Sequence, residues 1–140
     1  MPVYSHLSKG DHSVGVMNYH YEVTKHGIES NIGVNHLGHF LLTTKLIDTL
    51  VANKARIINL SSNTHEVCTI YYNSINLINN TDLPSDIDVS AWTSNKLSRF
   101  QLYPQSKVVN ILFTKELQRR YGDKGINAYA VHPGVGTGYQ

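Results

Sequence analysis

Cysteine is all but missing from this chain, with Cys68 its one representative among 140 residues. No disulfide can close within the chain, and such usage suits a reducing compartment. Charge is sparse and nearly balanced: charged residues make up 16% and the net charge is +2. So small an excess, carried on scattered basic residues, excludes a nucleic-acid surface from the expected partners. No apolar run approaches the roughly 18 residues a membrane helix needs, and residues 1–10 lack the apolar centre of a signal peptide. A cytoplasmic or membrane-peripheral location is therefore expected. Eight histidines invite a metal reading. The closest pair, His36 and His39, has no carboxylate or cysteine completing a ligand spacing, so no metal is expected. At 41% hydrophobic the chain is too apolar for disorder, and its length suits one domain with a moderate core.

Residues 1–27 mix His, Gly, Ser and Lys without a sustained period and read as a loop-like lead. From Asn31 to about Asn53, Leu37, Phe40, Leu41, Thr44, Ile47 and Val51 recur at threes and fours, the spacing of an amphipathic helix. Gly38 within it weakens helix propensity but would let another backbone come close. Arg56-Ile57-Ile58-Asn59-Leu60 is short and β-branched, a buried strand that ends at Ser61-Ser62. Residues 63–102 are rich in Asn, Ser, Asp and Thr, with a brief strand-like Thr69-Ile70-Tyr71-Tyr72. So long a connection is usually functional or mobile.

A second helix is expected from Pro104 to Tyr121. Its apolar stripe is Val109, Leu112, Phe113, Leu117 and Tyr121; Lys115, Gln118 and Arg119 face water, and Gly122 sits at the C-cap. A second strand, Ile126 to Val131, runs into His132-Pro133-Gly134. Helix, strand, loop, helix, strand is the alternation of a parallel α/β sheet. Right-handed crossovers would gather both strand C-termini, and so Ser61-Ser62 and Pro133-Gly134, on one rim. Open α/β sheets bind ligands along that rim.

Tyr103 and Lys107 stand four apart, which on a helix places them on one face with Cβ atoms about 5–6 Å apart. A nearby ammonium favours a phenolate, which makes tyrosine a workable acid or base near neutral pH. Alone the spacing recurs by chance; its neighbours give it weight.

Four pieces stand in order: Gly33-Val34-Asn35-His36-Leu37-Gly38-His39-Phe40-Leu41-Leu42-Thr43, then Arg56 to Ser62, then Tyr103-Pro104-Gln105-Ser106-Lys107 running on to Leu117, then His132-Pro133-Gly134. In this order the chain resembles the short-chain dehydrogenase/reductase family, most nearly its retinol-dehydrogenase-like branch. The resemblance implies a partial Rossmann-like, doubly wound parallel sheet, the C-terminal half of the fold. Residues 15–140 would form this partial domain and 1–14 an unmatched lead. It implies hydride transfer between NADP or NAD and a small carbonyl or alcohol, retinoid-, steroid- or lipid-like. Tyr103 would be the general acid or base, and Lys107 would hold the nicotinamide ribose. Ser62 would bond the substrate oxygen, with Ser61 as the fallback. Asn35 would anchor a water relay; read alone, it is a helix asparagine bonding to backbone. Pro133, Gly134, Val135 and Thr137 would line the nicotinamide pocket.

The chain departs from the pattern in three places. No Gly-x-Gly-x-x-Gly occurs, so the turn that seats a pyrophosphate is not found, and a truncated product or gene-model fragment is expected. Pro104 biases Tyr103 away from helical geometry. Thr137 stands one residue earlier than the family's threonine. These departures leave open a non-catalytic chain that pairs, through helices 31–53 and 104–121, with itself or a full-length relative, or a remnant without function.

Overall fold

Of the 140 residues, the computed structural model describes 15–67 and 99–134. Two strands, β1 (Arg56–Leu60) and β2 (Asn127–Val131), pair in parallel with Arg56 opposite Asn127 and Leu60 opposite Val131. Helix α1 is composite: an α turn over Ser30–Ile32, a π segment over Gly33–Leu37 and an α segment over Gly38–Lys45. Helix α2 spans Ile47–Ala52, a 3-10 turn spans Asn63–Val67, and the long helix α3 spans Arg99–Tyr121. Among the described residues, no helix is long and apolar enough to cross a membrane.

Helix α3 covers one face of the sheet. Its expected stripe is buried as the spacing demands, with Val109, Leu112, Phe113 and Leu117 all inaccessible. Phe113 and Leu117 close a core with Leu50, Ala55, Ile57 and Ile126. Burying each such Leu, Ile or Phe is worth about 1.5–3 kcal/mol. Ile57 and Asn59 point into this layer, while Ile58 is 43% exposed. The expected fully buried β1 is therefore corrected: successive strand residues face opposite ways, and among the described residues only one face meets a helix.

Two further expectations about α3 change. The helix runs through Tyr103 and begins at Arg99, with Pro104 inside it. Proline there supplies no N–H to the ladder. Packing of the flanking turns, with Leu102, Gln105 and Ser106 all buried, holds the helical path across it. Gly122 does follow the helix, but the residue in left-handed backbone is Gly125, φ 93°. Only glycine takes that conformation without a Cβ penalty, and here a Cβ would also stand 2.8 Å from Lys54 Cγ.

The expected continuous helix over 31–53 is interrupted at Leu46, and its apolar stripe meets the core only in part: Ile47 and Val51 pack against it. Phe40, Leu41 and Leu42 are 42–54% exposed, whereas Asn31, Ile32, Asn35 and His36 are buried. The π segment explains the shift. The Gly38 N–H reaches the Gly33 carbonyl, an i→i+5 bond that inserts one residue into the turn. One extra residue rotates everything after it by about 100°. Close approach occurs at Gly33, where a Cβ would lie 2.9 Å from Thr24 Cγ2, and not at Gly38.

Residues 15–18 are an extended segment tied to α1. The Asn35 amide bonds both the N–H and the carbonyl of Val16, at 2.8 and 2.9 Å. Asn31 does the same for Asn18, at 3.0 Å each. Residues i and i+4 of a helix rise about 6 Å, and i and i+2 of a strand about 6.6 Å, so two asparagines one turn apart match two alternate strand residues. The segment is thus no loose lead. The Glu29 carboxylate, buried, caps the start of α1 through the N–H groups of Asn31 and Ile32 at 2.9 Å. An anion at that position is favoured by the helix dipole.

Candidate functional site

The parallel register puts both strand C-termini on one rim, and Ser61 N–H continues the ladder to the Val131 carbonyl at 2.8 Å. Ser61-Ser62 and the His132-Pro133-Gly134 turn are therefore neighbours. Pro133 and Gly134 are exposed, and Gly134 has φ 93°. Val135 and Thr137 lie outside the described residues, as does the strand expected over 69–72.

Tyr103 and Lys107 share a face of α3, and the Lys107 ammonium lies over the Tyr103 ring, 5.3 Å from its centroid. Lys107 Nζ also donates to the Leu60 carbonyl at 3.4 Å. Burial holds the Lys107 ammonium below its usual range, because a charge removed from water is disfavoured. Tyr103 itself is half-buried.

The two serines have different tasks. Ser61 Oγ donates to the Lys107 carbonyl at 2.9 Å, fixing strand end to helix. Ser62 Oγ accepts from Thr64 N–H at 3.2 Å and lies 3.4 Å from Asn63 Oδ1, at the start of the 3-10 turn. The Ser62 carbonyl meets His65 Nδ1.

Asn35 does bond to backbone, but with consequences for the site. Its Nδ2 donates to Val16 O and, at 3.0 Å, to Ser106 Oγ; Ser106 in turn donates to the Tyr103 carbonyl at 2.7 Å. An extended segment, the π segment and the turn bearing Tyr103 are thereby linked. Beside it, the Asn110 amide donates to the carbonyls of Asn35 and Leu60, at 3.0 Å each, and meets His36 Nδ1 at 3.0 Å. On a regular α-helix adjacent residues point about 100° apart. The π segment lets Asn35 and His36 both meet α3, at Ser106 and Asn110, one turn apart. His36 is packed edge-on against Phe113, with centroids 5.7 Å apart. Burial holds its ring below the usual histidine value; the Asn110 bond opposes this, and the neighbouring His39 adds to it.

Ser106, Asn110 and the buried His36 were not singled out from sequence as site residues. Their one signal was polarity on a helix face that should have been apolar. Among the described residues no cluster of three metal-ligating side chains forms.

On this parallel rim a helix presents tyrosine and, one turn on, lysine over its ring, the arrangement expected from the resemblance to the short-chain dehydrogenase/reductase family. Over most of its length the chain is homologous to retinol dehydrogenases. It is 41% identical over 124 residues to retinol dehydrogenase 12 of Homo sapiens, covering 88% of this chain and 34% of that one. To retinol dehydrogenase 11 of Mus musculus it is 40% identical over 131 residues, covering 93% and 36%. To the WW domain-containing oxidoreductase of Homo sapiens it is 37% identical, covering 81% and 26%. The chain thus spans about a third of the length of the curated relatives it matches. A crystal structure of an uncharacterised protein from Mycobacterium paratuberculosis aligns with TM-score 0.64 at 34% identity, covering 89% of this chain and 40% of that one. No model of a protein family matches the chain.

Proposed function

We propose that this chain carries the proton-transfer half of a nicotinamide-dependent oxidoreductase that interconverts a carbonyl and an alcohol on a retinoid-, steroid- or lipid-like substrate. The observation that carries the reading is the Lys107 ammonium over the Tyr103 ring at the strand rim. In reduction Tyr103 donates its phenolic proton to the carbonyl oxygen; in oxidation the phenolate takes the alcohol proton back. Ser62 is the serine that bonds the substrate oxygen: the Ser61 hydroxyl is committed to the Lys107 carbonyl at 2.9 Å, whereas that of Ser62 donates at 3.4 Å to its neighbour Asn63, the longer bond and the easier one to exchange.

The residues present fit one end of a nicotinamide cofactor. An ammonium has three N–H donors, and Lys107 directs one to Leu60. The others suit the ribose hydroxyls, and Pro133 and Gly134, followed by Val135 and Thr137, suit the nicotinamide ring. Bound NADP or NAD would supply or accept the hydride. Both Nδ2 hydrogens of Asn35 are already given, to Val16 and Ser106, so a water anchored by Asn35 would have to donate to one of its oxygens. The sequence has no Gly-x-Gly-x-x-Gly to form a pyrophosphate turn. The chain by itself is therefore expected to bind NADPH weakly; submicromolar affinity in a fluorescence titration would defeat that expectation.

A hybrid tests the chemistry. Retinol dehydrogenase 12 carrying this chain in place of its matching 124 residues should reduce retinaldehyde. Tyr103→Phe in the hybrid should lower turnover by about a hundred- to ten-thousand-fold. A folded hybrid without turnover, or one indifferent to Tyr103→Phe, sinks the reading.

A second reading is favoured by the exposed Phe40, Leu41 and Leu42 of α1: a non-catalytic chain that pairs with a full-length relative. Co-expression with such a relative should then yield a co-purifying complex, and separate elution counts against it.

A further inference from the structure

The Tyr103–Lys107 pair is held in place by groups that do not touch substrate. Lys107 Nζ has its hydrogen bond to the Leu60 carbonyl, and that same oxygen receives Asn110 Nδ2. The other Nδ2 hydrogen goes to the Asn35 carbonyl, at the middle of the π segment. With both hydrogens on carbonyls, Asn110 Oδ1 can only accept, so the facing His36 Nδ1 must carry a proton. Asn110 is 5% exposed and its amide has one orientation that satisfies all three partners.

We propose that Asn110 is a positioning residue for the Tyr103–Lys107 pair: its amide, oriented by the Nδ1–H tautomer of His36, fixes the Leu60 carbonyl that holds the lysine over the tyrosine ring. This rests on reading the pair as a proton-transfer site, but it concerns geometry that can be measured without turnover. The Ser61 N–H bond to the Val131 carbonyl holds this peptide from the sheet side. Removing the amide takes away its hold from the α3 side, and the acceptor that keeps the ammonium above the ring shifts.

Nuclear magnetic resonance on the full chain tests this. The ε-methylene of Lys107, lying beside the Tyr103 ring, should show an upfield ring-current shift, assigned by its disappearance in Lys107→Arg. Asn110→Ser should abolish that shift. The comparison is Thr114→Val, one turn along the same helix, where a buried hydroxyl bonded to Asn59 and to the Asn110 carbonyl is removed without touching Leu60. Thr114→Val should lower stability and keep the shift. If Asn110→Ser folds and keeps the shift, or if Thr114→Val loses it equally, the positioning role is overturned. Should Asn110→Ser not fold, Asn110→Asp keeps the shape and the acceptor facing His36 but removes both donors, and the same loss is expected. The ring nitrogens of His36 in the unaltered chain give a separate answer. Protonation at Nδ1 alone is expected, and an Nε2–H tautomer overturns the orientation. Failure of the hybrid enzyme to turn over, with these signals as expected, would remove the oxidoreductase reading and leave the positioning role standing.

Discussion

Helix α3 is buried along both its halves, but against opposite chemistry. Where the strands begin, Phe113 and Leu117 meet Leu50, Ala55, Ile57 and Ile126, a buried cluster of apolar side chains. Where the strands end, the same helix meets Asn35, His36 and Ser61 through Ser106, Asn110 and Lys107, all buried. The apolar end draws its stability from area removed from water, which is tolerant of small shifts. The polar end depends on hydrogen bonds whose net worth is small but whose loss is costly, and which are met in one geometry only. One end holds the helix on the sheet; the other fixes where particular atoms stand.

The largest expected effect comes from the apolar end. Leu117→Ala should destabilise by about 2–5 kcal/mol in denaturant titration, from lost transfer energy plus the cavity. A cost below about 1 kcal/mol would mean the site relaxes freely and the apolar layer is not what holds α3.

Asn35→Ala should cost less, about 1–3 kcal/mol, because it leaves buried partners unpaired and removes no large volume. Its signature is local. Amide exchange at Val16 should accelerate more than exchange at Ile57 or Leu117. Uniform acceleration across the chain would erase the distinction between the two ends.

Lys107→Met should give the smallest change and the opposite sign. Burial lowers the lysine's affinity for its proton in the folded state below that in the unfolded chain. At neutral pH the proton is bound in both states, so folding carries the cost of burying the charge. That cost disappears as pH rises through the lowered folded value toward the ordinary lysine range. Lys107→Met should therefore raise the unfolding midpoint near pH 7, with the gain fading at alkaline pH. A lower midpoint at neutral pH would show that the polar end contributes net stability through its lysine. A functional group that costs stability is what a site placed for chemistry leads one to expect.

Much of the apolar end was legible in the linear pattern. The stripe of α3, the five residues of β1 and the parallel order follow from spacing and from β-branched runs, which are local properties. The polar end was legible only in part. Tyr103 and Lys107 were visible because they are one turn apart on a single helix. Asn110, Ser106 and His36 were not, because their partners lie 71 to 75 residues away, on another helix. The stripe expected on α1 held only in its second half, where Ile47 and Val51 pack on the core: one residue inserted at the π segment left Leu41 outward and Phe40 half-exposed against Phe113, and no periodic count anticipates a change of period. Ser61 and Ser62, adjacent and alike, differ only by which way the strand end points each hydroxyl.

The sequence by itself determined which segments are helix and strand, that both strands end on polar residues, and that tyrosine and lysine share a face. Those follow from repeats of 2 and about 3.6 residues, written in neighbouring positions. Only the tertiary structure decided that the lysine lies over the tyrosine ring, that Ser61 braces it while Ser62 stays at the rim, and that an asparagine and a histidine from two helices hold the arrangement. Hydrogen bonds between distant segments need direction and distance as well as composition, and those exist only once the helices are packed.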